Sequence, residues 1–377
     1  MRLSVKSLFH IVTAACFLSL ATASAQQVQQ TKKTTTTVKK KQQYVVQPKA
    51  APVAQPVPVV APPVEPQPQP EPYYAVPKPR ASDGREFTDL IYVPAPGKFL
   101  LSAALQGYSL NVDAYQTGSK VAQIKTTGAA VQAGVQVGIF KNTSISAKFI
   151  SSSKKASYDF EDAFTTDTEN KSSGWENPEF AAQFRPMTTE YTGLFDIVLE
   201  GFYSPDLVKS KIATSVDDGT MGAGRPKYGA NVFLYRKWDW IEGAFGMGYT
   251  FKGESDSEDA TTGETITTQE GAVMATQAGM QAKLTSFLYG NAKMIYEVSD
   301  AGENKYNTGL KSTFDKTKLL RILVGGTVVF VPEVSSLSGS IGVLSLANST
   351  STNTSNVVTD TKDGSGVIFT LSYMHQF

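Results

Sequence analysis

Ionisable and amide side chains recur at alternate positions of otherwise apolar segments, and that spacing is where chemistry would be built. Glu179, Gln183 and Arg185 oppose Phe180, Ala182 and Phe184, while Asp196 and Glu200 oppose Phe195, Ile197, Leu199 and Tyr203. Glu242 opposes Ile241, Gly243 and Phe245; Asn291, Lys293 and Glu297 oppose Ala292, Met294, Tyr296 and Val298; Arg321 stands in a further segment of the same texture. Charges of both signs on one face of extended chain suit two kinds of work. Beside a water-filled path they select ions, and paired across it they close it. Simple solvation of a polar interior is a third reading, and spacing does not choose among the three.

Other chemistries find little support. The chain has two histidines, of which His10 lies in the apolar stretch over 8–20 and His375 stands two residues from the C-terminus, a poor place for a general base. Asp196 and Glu200 share a face, but carboxylates alone are a thin basis for catalysis, and the sequence reads as that of a non-enzyme. The acids Asp256, Glu258 and Asp259, and the run Asp217-Asp218-Gly219, lack the longer ordered pattern of a calcium loop. Cys16 is the only cysteine, so cysteine metal sites and disulfides are excluded once the leader is removed. Met221-Gly222-Ala223-Gly224 and Gly325-Gly326 lack the lysine and following helix of a phosphate loop. No cofactor and no metal is expected. A formal charge of +1 gives no field for nucleic acid.

The elements that must carry the charged faces are strands. Period-two alternation places them at 98–115, 119–140, 144–160, 175–187, 194–206, 225–236, 241–256, 268–284, 287–300, 316–331, 338–350 and 364–377. Connections then alternate between short ones (141–143, 188–193, 237–240, 285–286, 332–337) and longer polar loops, apart from a very short first loop. That is the rhythm of an up-and-down barrel with both termini at its short-turn end. Twelve strands are expected, or fourteen if 304–314 makes strands of its own. Aromatics gather at both ends: Tyr191, Tyr235, Trp238, Trp240, Phe287 and Phe377 at one, Tyr203, Tyr249 and Phe251 at the other.

Before the strands come three segments of different character. Arg2 and Lys6, the apolar stretch and Ala23-Ser24-Ala25 make 1–25 a signal peptide. Residues 26–50 are polar and basic, with Lys32, Lys33, Lys39, Lys40, Lys41 and Lys49 and no acid. Residues 51–85 are proline-rich and cannot build a core. As polyproline II, at about 3.1 Å per residue, this arm reaches about 95 Å. Residues 86–377 then form the folded domain.

The terminal segment bears most directly on the class of that domain. Val367, Phe369, Leu371, Tyr373, His375 and Phe377 share one face, and strand and chain end together on Phe377. With the signal peptide and loop rhythm, this resembles bacterial outer-membrane β-barrels, whose last strand ends in Phe with alternating apolar and aromatic residues upstream. His375 departs mildly from that pattern. The resemblance implies a closed antiparallel barrel set in outer-membrane lipid. It also implies that the assembly machinery reads Phe369, Leu371, Tyr373 and Phe377, and that the N-terminal arm is periplasmic. The lumen is then open, narrowed by inward side chains, or filled by the chain's own N-terminal segment. Two functions follow: a porin-like channel for small polar solutes or ions, and a docking barrel tethered through 26–85 to cell wall or a periplasmic protein. Neither the solute nor the oligomeric state can be read from the residues.

Overall fold

A strand sends successive side chains to opposite faces, so alternation becomes two surfaces once neighbours pair in register. The computed structural model describes residues 87–162, 165–189, 193–222 and 224–377. The signal peptide, basic segment and proline-rich linker lie outside the described residues, as does Tyr191. The strands are β1 (Phe99–Gln116), β2 (Ser119–Phe140), β3 (Thr143–Phe160), β4 (Thr168–Trp175 and Glu179–Met187), β5 (Asp196–Ser204) and β6 (Lys227–Lys237). They continue as β7 (Ile241–Lys252 and Ser255–Asp259), β8 (Thr265–Gln269 and Val273–Lys283), β9 (Leu288–Ser299 and Gly302–Tyr306), β10 (Lys311–Phe314 and Thr317–Val331), β11 (Ser335–Leu346 and Ser349–Thr352) and β12 (Val358–Gln376).

Each strand pairs antiparallel with the next, and β1 pairs with β12, so that Leu105 stands opposite both Val131 and Leu371. The result is a closed twelve-stranded barrel. The 304–314 stretch adds no strands. It prolongs β9 and β10 into one taller hairpin, with Gly302 opposite Phe314. The first loop is the two residues Thr117 and Gly118, at φ 48° and 85°. Positive φ at both central positions is the mark of a type I′ hairpin, whose twist suits the flanking strands.

Register explains the exterior. Phe99, Leu101, Leu105, Val131, Phe149, Val232, Met247, Ile322, Ile341 and Leu371 are all exposed on the outer face. On β12 this apolar run extends from Val367 to Phe377, eleven residues. At about 3.3 Å per residue and a tilt of about 40°, it makes a band about 28 Å tall, a bilayer's hydrocarbon thickness. Trp175, Tyr203, Tyr228, Tyr249 and Phe251 rim its long-loop edge, and Trp238, Trp240, Phe287 and Phe377 its short-turn edge. Tyr235 was expected in that second girdle, but the structure corrects this. In the β5–β6 register it shares the inward face with Phe233, is buried, and donates to Glu242 at 3.0 Å.

Beyond the band the barrel continues with a polar exterior: Asn111, Asp113, Gln123 and Lys125 succeed the apolar residues of β1 and β2. Here β5 and β6 stop short, and the loop between them fills the gap. Its segment Ser210–Ile212 runs parallel to Ser257–Asp259, and Gly219–Thr220 runs parallel to Ser172–Ser173. The loop is thereby built into the barrel rim, and its inner side faces the lumen beneath.

Candidate functional site

Inward side chains sort into three layers. At the short-turn end the chain itself enters the barrel. Phe87, Thr88, Asp89 and Val93 are buried, and Pro94 is fully so. Lys237 holds the Asp89 carboxylate at 2.6 Å, the Leu90 amide donates to Glu242 at 3.0 Å, and Gln281 donates to the Thr88 carbonyl at 2.8 Å. Tyr92 donates to Gln376, and Ile91 and Val93 pack on Val198 and Phe233. Every one of these barrel residues points inward, from β5, β6, β7, β8 and β12. Residues 87–96, at the start of the folded domain, therefore occupy the lumen at that end. Burial pushes the Tyr92 phenol up to about 12, with Asp89 and Glu333 adding to the shift, which keeps it a donor.

Glycine 138 lets this segment seat. Its amide donates to the Lys98 carbonyl at 3.0 Å, and its carbonyl accepts from Gly97 at 2.9 Å. A Cβ there would stand 2.0 Å from the Ala95 oxygen and 2.5 Å from that of Pro94. Only a residue without a side chain permits so close an approach.

A hydrogen-bonded belt forms the middle layer. Gln136 of β2 donates to Gln183 of β4 at 2.8 Å, Gln183 to Glu200 of β5 at 2.6 Å, and Asn231 of β6 to Glu200 at 2.7 Å. Lys148 and Glu179 pair at 2.7 Å across β3 and β4. Across the lumen, Glu297 takes the Arg321 guanidinium, and Lys293 lies within electrostatic reach of both and of Glu200. Nearer the short turns, Arg185 and Asp196 are buried together at 3.5 Å, with Arg185 also donating to Asn142 at 2.8 Å. Asn291 donates to Thr327 at 3.4 Å. The ten residues singled out from alternation thus all face inward, and seven of them are brought into the pairs and belt just described. Glu242 belongs instead to the layer below, Asn291 bonds only along the wall, and Lys293 is tied by field alone.

The third layer, under the long loops, is a cavity of about 390 Å³. Glu270 sits in the break within β8, where it pairs with Arg225 at 2.6 Å and with Lys252. Burial acts to raise its pKa, but Lys252 and Arg225 outweigh that and hold the carboxyl below the usual carboxylate range. Lys154, Lys211 and Lys227 also line this space, as does Glu176, which accepts from Ser152 at 2.6 Å. Above it, Ile212, Ile266 and Tyr306 form an apolar cluster with the incoming loop. Neither Lys252 nor Lys227 was singled out from the sequence; their one signal is alternation, since they stand beside the outward Phe251 and Tyr228. Nothing in the sequence joins them to Glu270.

The remaining candidates have plain places. His375 faces outward between Tyr373 and Phe377, with ring centroids 6.3 and 4.4 Å away. Asp259 accepts from the Thr261 and Thr262 amides and so shapes its hairpin, and Asp256 accepts from Thr267. Among the described residues no group of three or more acidic, His or Cys side chains is placed to hold a metal.

No protein-family model matches the chain, and no curated protein matches it. Solved structures do. An outer-membrane channel from Pseudomonas putida F1 covers 78% of this chain and 100% of its own, with a TM-score of 0.52 and 10% identity. The translocator domain of the autotransporter NalP from Neisseria meningitidis covers 75% and 90%, with a TM-score of 0.37 and 10% identity. A Pseudomonas aeruginosa FadL homologue covers 74% and 90%, with a TM-score of 0.38 and 9% identity. The first of these is a likeness of fold: an outer-membrane type of closed barrel.

Proposed function

We propose that the protein is an outer-membrane channel for small polar solutes, with its short-turn mouth facing the periplasm and closed by residues 87–96. One observation carries this reading. Beneath an apolar band of bilayer height, the interior is lined by amides and ion pairs around a cavity, and its floor is a non-strand segment held by side chains. A barrel serving only as an anchor has no need of a polar interior closed by a separate segment. The terminal face with Phe369, Leu371, Tyr373 and Phe377 suits recognition by the assembly machinery during insertion.

Conductance in a planar bilayer tests this. The full mature chain is expected to pass little current, and a chain lacking 26–96 to pass a steady ohmic current. Silence in both would overturn the channel. Removing 26–85 alone leaves the floor in place and is expected to change nothing in the current. Loss of a periplasmic binding partner in that variant, with both variants silent, would favour the docking barrel instead.

A further inference from the structure

Among the described residues, the lining of the cavity beneath the long loops holds more cations than carboxylates. Six cations line it against three carboxylates. Two of those carboxylates are committed: Glu270 to Arg225 and Lys252, and Glu297 to Arg321. Lys227 has no carboxylate within ion-pair distance among the described residues. Arg225 is 6% exposed, and only its Nη2 reaches Glu270; Nε and Nη1 are buried with no acceptor among the described residues. Nε of Arg321 is in the same state. Guanidinium N–H groups out of water are costly to leave unmade, and these three belong to two arginines that line one cavity.

The geometry points to a binding site for a small oxyanion, a carboxylate or phosphate group held by Arg225 and Lys227 with Arg321 and Lys252 around it. Arginine's fixed donor fork suits such oxygens, and the low local dielectric strengthens each contact. The volume lies at the lower end of small-molecule sites, about 300–1,000 Å³, which limits the ligand to a few carbons or an inorganic ion. This deepens the channel reading by naming its solute class, since an oxyanion entering from the long-loop side meets the site above the floor. Glu176 sets the limit on affinity, because its charge faces Lys227 from the same lining.

Isothermal titration of the full mature chain in zwitterionic detergent tests the site without requiring conduction. Sodium succinate and sodium phosphate are the two probes, with erythritol as the neutral control, at low ionic strength to limit screening. Saturable binding of either anion, weakened at least tenfold by Arg225→Gln and by Lys227→Met, is expected. Glu176→Gln is expected to strengthen it severalfold, a gain that misfolding does not produce. Succinate alone would identify an organic carboxylate, phosphate alone an inorganic ion, and both a general oxyanion site. Retention of barrel mobility on unboiled gels checks folding; if Arg225→Gln fails it, Lys227→Met and Glu176→Gln decide. Absent binding of both anions, binding equal to that of erythritol, or binding unaltered in the folded variants would overturn the site. Binding with silent bilayers would leave the site standing and remove the channel.

Discussion

Replacing Gly138 by alanine is expected to open the floor of the lumen without harming the barrel. Gly138 has ordinary extended backbone, and alanine suits a strand better than glycine, so β2 itself loses nothing. The effect comes only from contact. The added carbon falls 2.0 Å from the Ala95 oxygen, where an ordinary carbon–oxygen approach is about 3.3 Å, so the 94–95 backbone must retreat by about 1.3 Å. That retreat strains or breaks the two hydrogen bonds joining Gly138 to Gly97 and Lys98. Two backbone bonds at about 0.5–1.5 kcal/mol each come to about 1–3 kcal/mol, similar to the usual penalty for overpacking. At 1.4 kcal/mol per tenfold, the ratio of seated to unseated floor falls about 5- to 150-fold. Single-channel recording reads this directly as longer or more frequent open dwells, with the unit conductance of the 26–96 deletion. Conductance in the deletion together with unchanged dwells in Gly138→Ala would refute the reasoning, because the floor would then not depend on this contact.

Two pH dependences follow from the same layers. Tyr92 has its phenol raised from 10.0 to about 12, so its contribution to closure is complete below about pH 10 and lost as pH rises toward 12. Conductance of the full chain should increase over that window, and Tyr92→Phe should remove the pH dependence; a rise that persists in the variant assigns it elsewhere. Glu270 has its carboxyl held below its ordinary 4.5, so its stabilisation is present above that value and lost as pH falls beneath it. Melting followed by circular dichroism should therefore show an acid decline below about pH 4.5 that Glu270→Gln lacks. The variant should lose roughly 3–5 kcal/mol at neutral pH, because Arg225 and Lys252 remain buried without their carboxylate. An unchanged acid limb in the variant would refute this assignment.

Much of the barrel was legible because a single physical rule writes it. A strand lining a barrel must alternate, so Phe245, Met247 and Tyr249 announce an outer face whether or not their neighbours are known. The inward placement of Glu200, Lys293 and Arg321 follows from that rule alone, while the strand count needs the rhythm of loop lengths as well and leaves fourteen open. It misplaces Tyr235, whose ring is apolar enough to read as girdle but whose hydroxyl reaches a buried carboxylate. It is silent where alternation stops. Residues 87–96 carry no period, and their seat depends on Gly138 and Lys237, far away in sequence. The loop segments Ser210–Ile212 and Gly219–Thr220 join the rim by parallel pairing that no local pattern signals. The outer cavity is hidden for the same reason, since Arg225 lies in the loop before β6, Glu270 lies in the break of β8, and they meet only through the closed register.

The distribution of pairing also decides which charges can act on a passing ion. Arg185 with Asp196, and Lys148 with Glu179, are neutralised within the wall by neighbours on adjacent strands. A paired charge a few ångströms from its counter-ion presents a dipole to the lumen, and a dipole's field fades much faster than a monopole's. Glu200 is bound by amides, which leave its charge uncompensated locally, and Lys293 faces it from across the barrel. These two provide one negative and one positive pole at mid-height, a pair that narrows the lumen more than it selects. The excess that is not cancelled lies higher, among Arg225, Lys227 and Lys252. Arg321 therefore acts less as a free pore charge than as one bound to Glu297, both of them in the lining of the cationic cavity. Its loss should free Glu297 and shift selectivity toward cations, whereas loss of Glu200 should shift it the other way, and the two effects should oppose one another in reversal potentials measured across a salt gradient.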